Sequence, residues 1–194
     1  MTVIYLRMPR CASESIIEVC RKNNSSVYGG TDNRFFLRDG ITIVGPHLIK
    51  ESMGEKEFNT SFKASSVRNP FSRAISMYNH PSWDEAKTLK DFCTMIKEEN
   101  YPNEFAKWHS GTLCEYLVKD GELVVDMIIK FENLQSDFND FCDKIGIPPQ
   151  KVPHRNESPT KHKHYTEYYD DETRQIVAEK YAKDIEYFGY EFGE

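Results

Sequence analysis

The chain has 194 residues, a net charge of −6 at neutral pH, and a composition of 39% hydrophobic, 13% aromatic and 29% charged residues. This balance excludes disordered and fibrous proteins, and the length predicts a single domain over residues 1–194 that buries its own core. An acidic chain without an extended basic face is also a poor match for a protein that binds long nucleic acids.

The first half of the chain alternates predicted strands and helices. The run TVIYLRM (residues 2–8) predicts a buried strand, and ASESIIEVCRKNN (12–24) predicts the amphipathic helix that follows it. FFLRDGITIVGPH (35–47) predicts a β-hairpin that turns at RDG. FKASSVRNP (62–70) predicts a second strand that stops before Pro70, and FSRAISMYNH (71–80) continues as a helix.

The second half is mainly helical. Residues 88–117 follow helical periods, VVDMIIKF (124–131) predicts the last strand, and ENLQSDFNDFCDKIG (132–146) predicts a helix that Gly146 ends. A final helix with acidic residues at its start carries four apolar side chains on one face, namely Val177, Tyr181, Ile185 and Phe188. Strands that alternate with helices predict an α/β fold with a largely parallel sheet.

Cysteine usage and hydropathy narrow the class further. Five cysteines with no Cys-x-x-Cys pair predict neither a disulfide framework nor a zinc site, so we expect no metal. No apolar stretch approaches the roughly 20 residues that a membrane helix requires, and the apolar part of the N-terminus is too short for a signal peptide. We therefore expect a cytoplasmic protein with no membrane span.

The stretch MPRCASES (residues 8–15) joins the first predicted strand to the first predicted helix. Ligands of α/β proteins bind at this edge of the sheet, where amides at helix starts hold anions. The stretch lacks the glycine and lysine pattern of an ATP-binding P-loop, but Arg10, Ser13 and Ser15 supply the charge and hydroxyl donors that a phosphate or sulfate requires. Ordinary helix capping by Ser13 explains the stretch equally well.

The stretch SSVRNPFSRAISMYNH (65–80) repeats this arrangement, with Arg68 leaving the strand and Arg73 and Ser76 on the helix. Arg68 and Ser76 are placed to face one anion, whereas the alternative is that both arginines are surface charges or partners of acidic residues. Residues 151–164 add a third cationic segment, with four Lys or Arg against one Glu. That segment suits either a bound anion or a solvated loop.

Together these stretches resemble the nucleotide-binding segments of PAPS-dependent sulfotransferases, in the branch that includes the heparan 2-O- and chondroitin sulfotransferases. The likeness continues through DMIIKFENLQSDF (126–138), VPHRNES (152–158) and YYDDETRQIVAEKYAKDIEYFGYEF (168–192), and so covers nearly the whole chain. It implies a P-loop-like three-layer α/β fold with a mostly parallel central sheet flanked by helices. It also implies transfer of a sulfuryl group from PAPS to a hydroxyl of an acceptor, a carbohydrate in this branch, with PAP as product.

The resemblance implies roles for individual residues. The 5′-phosphosulfate is held by Arg10, Cys11, Ala12, Ser13, Glu14 and Ser15. The 3′-phosphate is held by Arg68 and Ser76, while Asn156 and Ser158 belong to a loop that folds over the nucleotide, where Lys161 and Lys163 add positive potential. The family usually has lysine in place of Arg10, and arginine keeps the charge with a different geometry. It commonly has Thr or Ser in place of Glu14, whose carboxylate either points away from the nucleotide or weakens donor binding.

Sulfuryl transfer also needs a base that takes the proton of the acceptor hydroxyl, and histidine titrates in the appropriate range. The resemblance assigns this base to His47, so that His47 and Arg10 are the predicted catalytic residues. His80 and His109 are the alternatives, and the remaining histidines are predicted to be loop residues, namely His154, His162 and His164. Two other functions stay open on these residues, a nucleotide-binding module that has lost catalysis and a P-loop-like kinase of small molecules.

Overall fold

The computed structural model of the protein describes residues 3–22, 35–36, 42–43, 54–153 and 163–194. The strands in these ranges are β1 (Val3–Leu6), β2 (Phe35–Phe36), β3 (Thr42–Ile43), β4 (Phe62–Val67), β5 (Val118–Lys119), β6 (Glu122–Leu123) and β7 (Met127–Lys130). The helices are α1 (Ser13–Lys22), α2 (Glu55–Thr60), α3 (Pro70–Tyr78), α4 (Leu89–Lys97), α5 (Glu104–Ser110), α6 (Cys114–Leu117), α7 (Leu134–Ile145), α8 (Asp171–Lys180) and α9 (Ala182–Phe188). None of the helices among the described residues has the length and hydropathy needed to cross a bilayer.

Two compact units make up the chain, and each draws on two separate stretches of sequence. The first unit comprises residues 1–67 and 116–156, and the second unit comprises residues 68–115 and 157–194. The boundary at residue 67 coincides with the end of β4, so that this strand belongs to the first unit and the helix after it belongs to the second.

A parallel sheet organises the first unit, with the strand order β1-β4-β7 and β4 in the centre. The register pairs Leu6 with Ser65 and Val67 with Lys130, so all three strands end at the same edge of the sheet. Helices flank this sheet: α1 and α7 contribute side chains to one core with residues of all three strands. The buried members of that core are Val3, Tyr5, Ile16, Ile17, Val19, Ala64, Ile129, Phe138, Phe141, Cys142 and Val152. The predicted α/β fold with a parallel sheet and flanking helices is therefore confirmed.

Local sequence signals set several element ends in this unit. Helix α7 ends at Gly146, which adopts the left-handed conformation (φ 73°) that glycine accepts without a steric penalty, as predicted. The predicted hairpin forms, since β2 and β3 pair antiparallel with Phe35 opposite Ile43. A second hairpin, β5 with β6, was not predicted, although its two-residue turn Asp120-Gly121 carries the Asp-Gly signal for such turns.

Helices build the second unit among its described residues. Their apolar faces meet in a core whose buried members are Phe71, Ala74, Met77, Trp83, Ala86, Phe92, Cys93, Ile96, Ala106, Ile176, Val177 and Tyr181. The caps follow ordinary rules: the Thr88 side chain accepts from the Asp91 amide at the start of α4, and Asp170 caps α8 through the Thr173 amide.

The prediction of one continuous final helix is wrong. The chain forms α8 and α9 instead, and Tyr181 between them has φ −109° and ψ 23°, outside the regular helix. The hydroxyl of Tyr181 donates to the Ser110 carbonyl at 3.0 Å, and this contact across 71 residues overrides the local helical period. The predicted apolar face is nonetheless buried, because Val177 and Tyr181 are fully enclosed and Phe188 is nearly so.

A buried ion pair lies beside this break. The carboxylate of Asp184 accepts hydrogen bonds from the amides of Leu113 and Cys114, each at 2.8 Å, and lies 3.9 Å from the guanidinium of Arg73. Arg73 in turn donates to the carbonyl groups of His109 and Gly111, at 2.7 and 2.9 Å. Both charged side chains are buried, so the turn between α5 and α6 is held from inside the protein by opposite charges.

We predict that Asp184→Ala lowers the free energy of unfolding by about 3–5 kcal/mol, since removing one member of a buried pair leaves the other charge uncompensated. Asp184→Asn keeps an acceptor oxygen and should lose less. The matched control is Asp171→Ala, which removes an exposed carboxylate paired with Arg174 at 3.3 Å and should change stability little. Chemical denaturation followed by circular dichroism measures all three, and equal stabilities for the two alanine variants would contradict the prediction.

Candidate functional site

The corner between β1 and α1, residues 7–12, has an unusual backbone. Arg10 and Ala12 adopt positive φ angles of 64° and 61°, in the left-handed region that residues other than glycine rarely occupy. Each such residue costs of the order of 1–3 kcal/mol and persists only where the surrounding structure fixes it. The contacts of this corner must therefore hold it in place.

Carbonyl groups of the corner are bound by donors within the protein. Met8 O accepts from the Ser13 hydroxyl (2.9 Å), Pro9 O from the Cys11 thiol (3.3 Å), Cys11 O from the Ser66 hydroxyl (2.6 Å) and Ala12 O from the Ile16 amide (3.2 Å). The described residues contain no cis peptide bond, and in a trans peptide the N–H points opposite to the C=O. The Ala12 amide therefore points away from the side on which Ser66 binds the Cys11 carbonyl.

This arrangement favours an anion. Helix α1 starts at Ser13, and its first amides lie at the positive end of the helix, where anions bind. Arg10 precedes them with a half-buried guanidinium, and burial lowers its pKa while the neighbouring Cys11 opposes the shift. An arginine keeps its charge in proteins even so. A corner that turns its carbonyls inward and adds a cation can bind phosphate or sulfate oxygens.

Predicted binding residues of this corner differ in what their side chains do. Ser13 is buried, and its hydroxyl both donates to the Met8 carbonyl and accepts from the Met8 amide at 3.1 Å, so this side chain closes the corner. Cys11 and Ser15 are also buried. The Ser13 hydroxyl thus binds the backbone of the corner, and its direct binding of a donor stays a prediction.

Glu14 has a partner that the sequence reasoning missed. Its carboxylate, in the first turn of α1, pairs with the guanidinium of Arg7, the residue that follows β1. The pair compensates the negative charge that was expected to disturb an anion here. The sequence shows a cation seven residues before an acidic residue. That separation predicts an ion pair only once the turn between the two residues is known.

The corner at the start of α3, in the second unit, uses side chains. Arg68 donates from Nε to the Ser72 hydroxyl at 2.9 Å, and Ser72 and Ser76 are one helical turn apart on the same face of α3. All three are half-buried. The guanidinium thus lies along the face that carries Ser76, where a cation and two hydroxyls suit a phosphate. Ser72 was not predicted, although its spacing of four from both residues is visible in the sequence.

Asn69 fixes the chain between Arg68 and α3. It is fully buried, its Oδ1 accepts from the Phe71 amide at 3.0 Å, and its Nδ2 donates to the Glu191 carbonyl at 2.8 Å. Because both ends of the amide are bound, the direction in which Arg68 leaves the turn is fixed as well. Arg73 on the same helix belongs to the core ion pair with Asp184, as the alternative interpretation of this arginine expected.

The histidines fall into two groups. His80 and His109 lie in the second unit with ring centroids 5.4 Å apart, and both rings contact Phe105. His80 Nδ1 accepts from the Ser82 amide at 3.2 Å, at the start of a short 3₁₀ turn, and His109 is buried.

The other predicted histidines are less informative. His164 is exposed, and its Nδ1 lies 2.7 Å from the Thr166 hydroxyl. Several other residues predicted for the site lie outside the described ranges, namely His47, His154, Asn156, Ser158, Lys161 and His162. Within the described ranges, no group of three or more His, Cys, Asp or Glu is arranged to hold a metal ion.

Comparisons with known proteins give the family. Among solved structures, the mouse sulfotransferase SULT7A1 complexed with PAP is similar to this chain, with 13% identity, a TM-score of 0.48, and coverage of 95% of this chain and 83% of that one. No curated protein sequence matches. The model of the sulfotransferase family matches residues 2–191, a range that includes both corners described above. Because this match extends over nearly the entire sequence, the chain belongs to the sulfotransferase family.

Proposed function

We propose that the protein transfers a sulfuryl group from PAPS to an acceptor hydroxyl and releases PAP. The observation that carries this proposal is the backbone of the corner at residues 7–12. Its carbonyls accept hydrogen bonds from groups inside the protein, and a cation, Arg10, and the positive start of α1 are then suited to bind an anion. Membership of the sulfotransferase family selects sulfuryl transfer among the reactions that such an anion site can serve.

The two corners suit the two ends of this donor. In the proposal, residues Arg10–Ser15 hold the 5′-phosphosulfate, while Arg68 and Ser76 hold the 3′-phosphate. The contact of Arg68 with Ser72 supports the second assignment, because it holds the guanidinium along the face of Ser76. Asn156 and Ser158 are proposed to close over the nucleotide.

The chemistry requires charge stabilisation and one proton transfer. The acceptor oxygen forms a bond to sulfur while the bond from sulfur to the phosphate oxygen breaks, and the negative charge that develops on the leaving phosphate falls to Arg10 and the amides of its corner. His47 takes the proton of the acceptor hydroxyl in this proposal. No metal is needed, because cationic side chains and amides neutralise the phosphates.

The resemblance of the sequence to the heparan and chondroitin enzymes favours a sugar hydroxyl as acceptor. The Arg7–Glu14 pair weighs against a module that has lost catalysis, because it compensates the one carboxylate expected to repel the donor. Arginine in place of the usual lysine keeps the positive charge but not the geometry of an ammonium group, so the proposal is that activity survives in altered form.

We predict that PAP raises the melting temperature of the protein, whereas ATP and ADP at equal concentration do not. Only PAP carries the 3′-phosphate that Arg68 is proposed to bind, and a ligand that binds the folded state alone stabilises it. Thermal-shift assays measure the difference. Stronger stabilisation by ATP would instead favour the kinase, and PAP binding without transfer of labelled sulfate from PAPS to any sugar tested would favour the inactive module.

Arg68→Ala is predicted to weaken PAP binding about 10-fold to 100-fold, the loss expected for one charge-assisted contact to a phosphate. Its control is Arg174→Ala, which removes an arginine from the exposed side of α8. Isothermal titration calorimetry gives both dissociation constants. A variant at position 68 that binds PAP as tightly as the control does would rule out the proposed 3′-phosphate contact.

His47→Ala is predicted to lower kcat at least 100-fold, as expected for loss of a general base, while PAP affinity stays near that of the unmodified protein. His164→Ala removes an exposed histidine and serves as the control. Transfer of labelled sulfate and PAP titration separate the two effects. Normal turnover by the His47 variant would rule out His47 as the base and favour His80 or His109.

A further inference from the structure

We propose that Tyr5 and Ser66 are positioning residues that set the direction of the Ala12 amide in the donor-binding corner. They lie on the buried strands β1 and β4 and are fully enclosed, so neither is placed to touch a donor itself. This inference rests on the proposed function, because the corner is assigned to the 5′-phosphosulfate. It adds two residues that act through the backbone.

The hydrogen bonds of this pair run in one direction. The Cys11 carbonyl only accepts, so Ser66 must spend its single hydroxyl proton on that carbonyl, at 2.6 Å. The oxygen of Ser66 then accepts from the Tyr5 hydroxyl, also at 2.6 Å. Tyr5 thus donates to Ser66, and Ser66 donates to the Cys11 carbonyl, which is part of a peptide group of the corner.

A second set of hydrogen bonds, made by Ser13, holds the corner at Met8. The Ser13 hydroxyl binds both the carbonyl and the amide of Met8, and its oxygen lies 3.4 Å from those of Tyr5 and Ser66. Three hydroxyls, those of Tyr5, Ser13 and Ser66, therefore meet next to the carbonyl and the amide of Met8. Ser66 restrains rotation of the Cys11–Ala12 peptide by its direct hydrogen bond to the Cys11 carbonyl.

Loss of that bond would favour a flipped peptide. Rotating the Cys11–Ala12 peptide plane by half a turn would move φ of Ala12 from 61° to roughly −120°, an ordinary extended value, and relieve its strain. The same rotation would turn the Cys11 carbonyl toward the anion and the Ala12 amide toward the strands. Ser66, with Tyr5 behind it, thereby keeps the strained orientation that binds an anion.

The test compares two neighbouring serines of β4. Ser65 and Ser66 are both fully buried, but Ser65 donates to the Leu6 carbonyl within the sheet at 2.7 Å and does not touch the corner. We expect Ser66→Ala to weaken binding of PAP and of inorganic pyrophosphate roughly threefold to tenfold, the value of one hydrogen bond. Ser65→Ala should lose similar stability and keep its affinity. Tyr5→Phe should shift affinity in the same direction as Ser66→Ala but less, and Ser66→Thr, which keeps the hydroxyl, should restore binding.

The outcomes separate this inference from the proposed function. If the unmodified protein binds PAP and both alanine variants bind equally well, Tyr5 and Ser66 do not position the amide and the inference is overturned. If the unmodified protein binds pyrophosphate but not PAP, the proposed donor is overturned. The affinities of Ser65→Ala and Ser66→Ala for pyrophosphate then still decide the inference. Binding of neither ligand overturns both proposals. Should Ser66→Ala fail to fold, Tyr5→Phe carries the comparison, because it removes a single oxygen.

Discussion

The hydrogen bond from the Ser66 hydroxyl to the Cys11 carbonyl is the contact on which the backbone of the corner between β1 and α1 depends. It joins the central strand of the sheet to a turn 55 residues earlier, and it exists only because β4 pairs with β1 in the observed register. The direction of this carbonyl sets the direction of the Ala12 amide on the other side of the same peptide group, and the anion binding proposed for the corner depends on that amide.

The two corners are both proposed to bind a phosphate, and they offer it different kinds of donor. In the proposal, the first corner supplies amides of a strained backbone, and the observed contacts of buried hydroxyls keep that backbone in place. At the second, a fixed turn at Asn69 directs an arginine along a helix face that carries serines. Backbone donors cannot move far from their positions, which suits the end of the donor where charge changes during the reaction. Side-chain donors adapt to a group whose charge stays constant, which is the role proposed for Arg68.

The sequence predicted the elements that depend on local signals. The strand before MPRCASES, the helix after it, the ending of α7 at Gly146 and the burial of Val177 and Tyr181 were all visible in periodicity and capping residues. The family was identified from the same stretches and is confirmed, while the carbohydrate branch stays a prediction. The break at Tyr181 was not visible, since it depends on a contact with Ser110 that no local pattern encodes. The partners of Arg10 to Ser15 were hidden for the same reason, because Arg7 and Ser66 reach them only through the fold.

Two features of the sequence nonetheless break local rules at this corner. The central strand of a parallel sheet is usually a continuous apolar run, yet β4 carries Ser65 and Ser66, whose buried hydroxyls would cost free energy without partners. The corner places Arg10 and Ala12 where glycine would relieve strain. Each departure compensates the other, because the hydroxyl that is unfavourable in the strand holds the backbone that is unfavourable in the turn. Such paired departures are expected where a fold gives up local stability for a binding site.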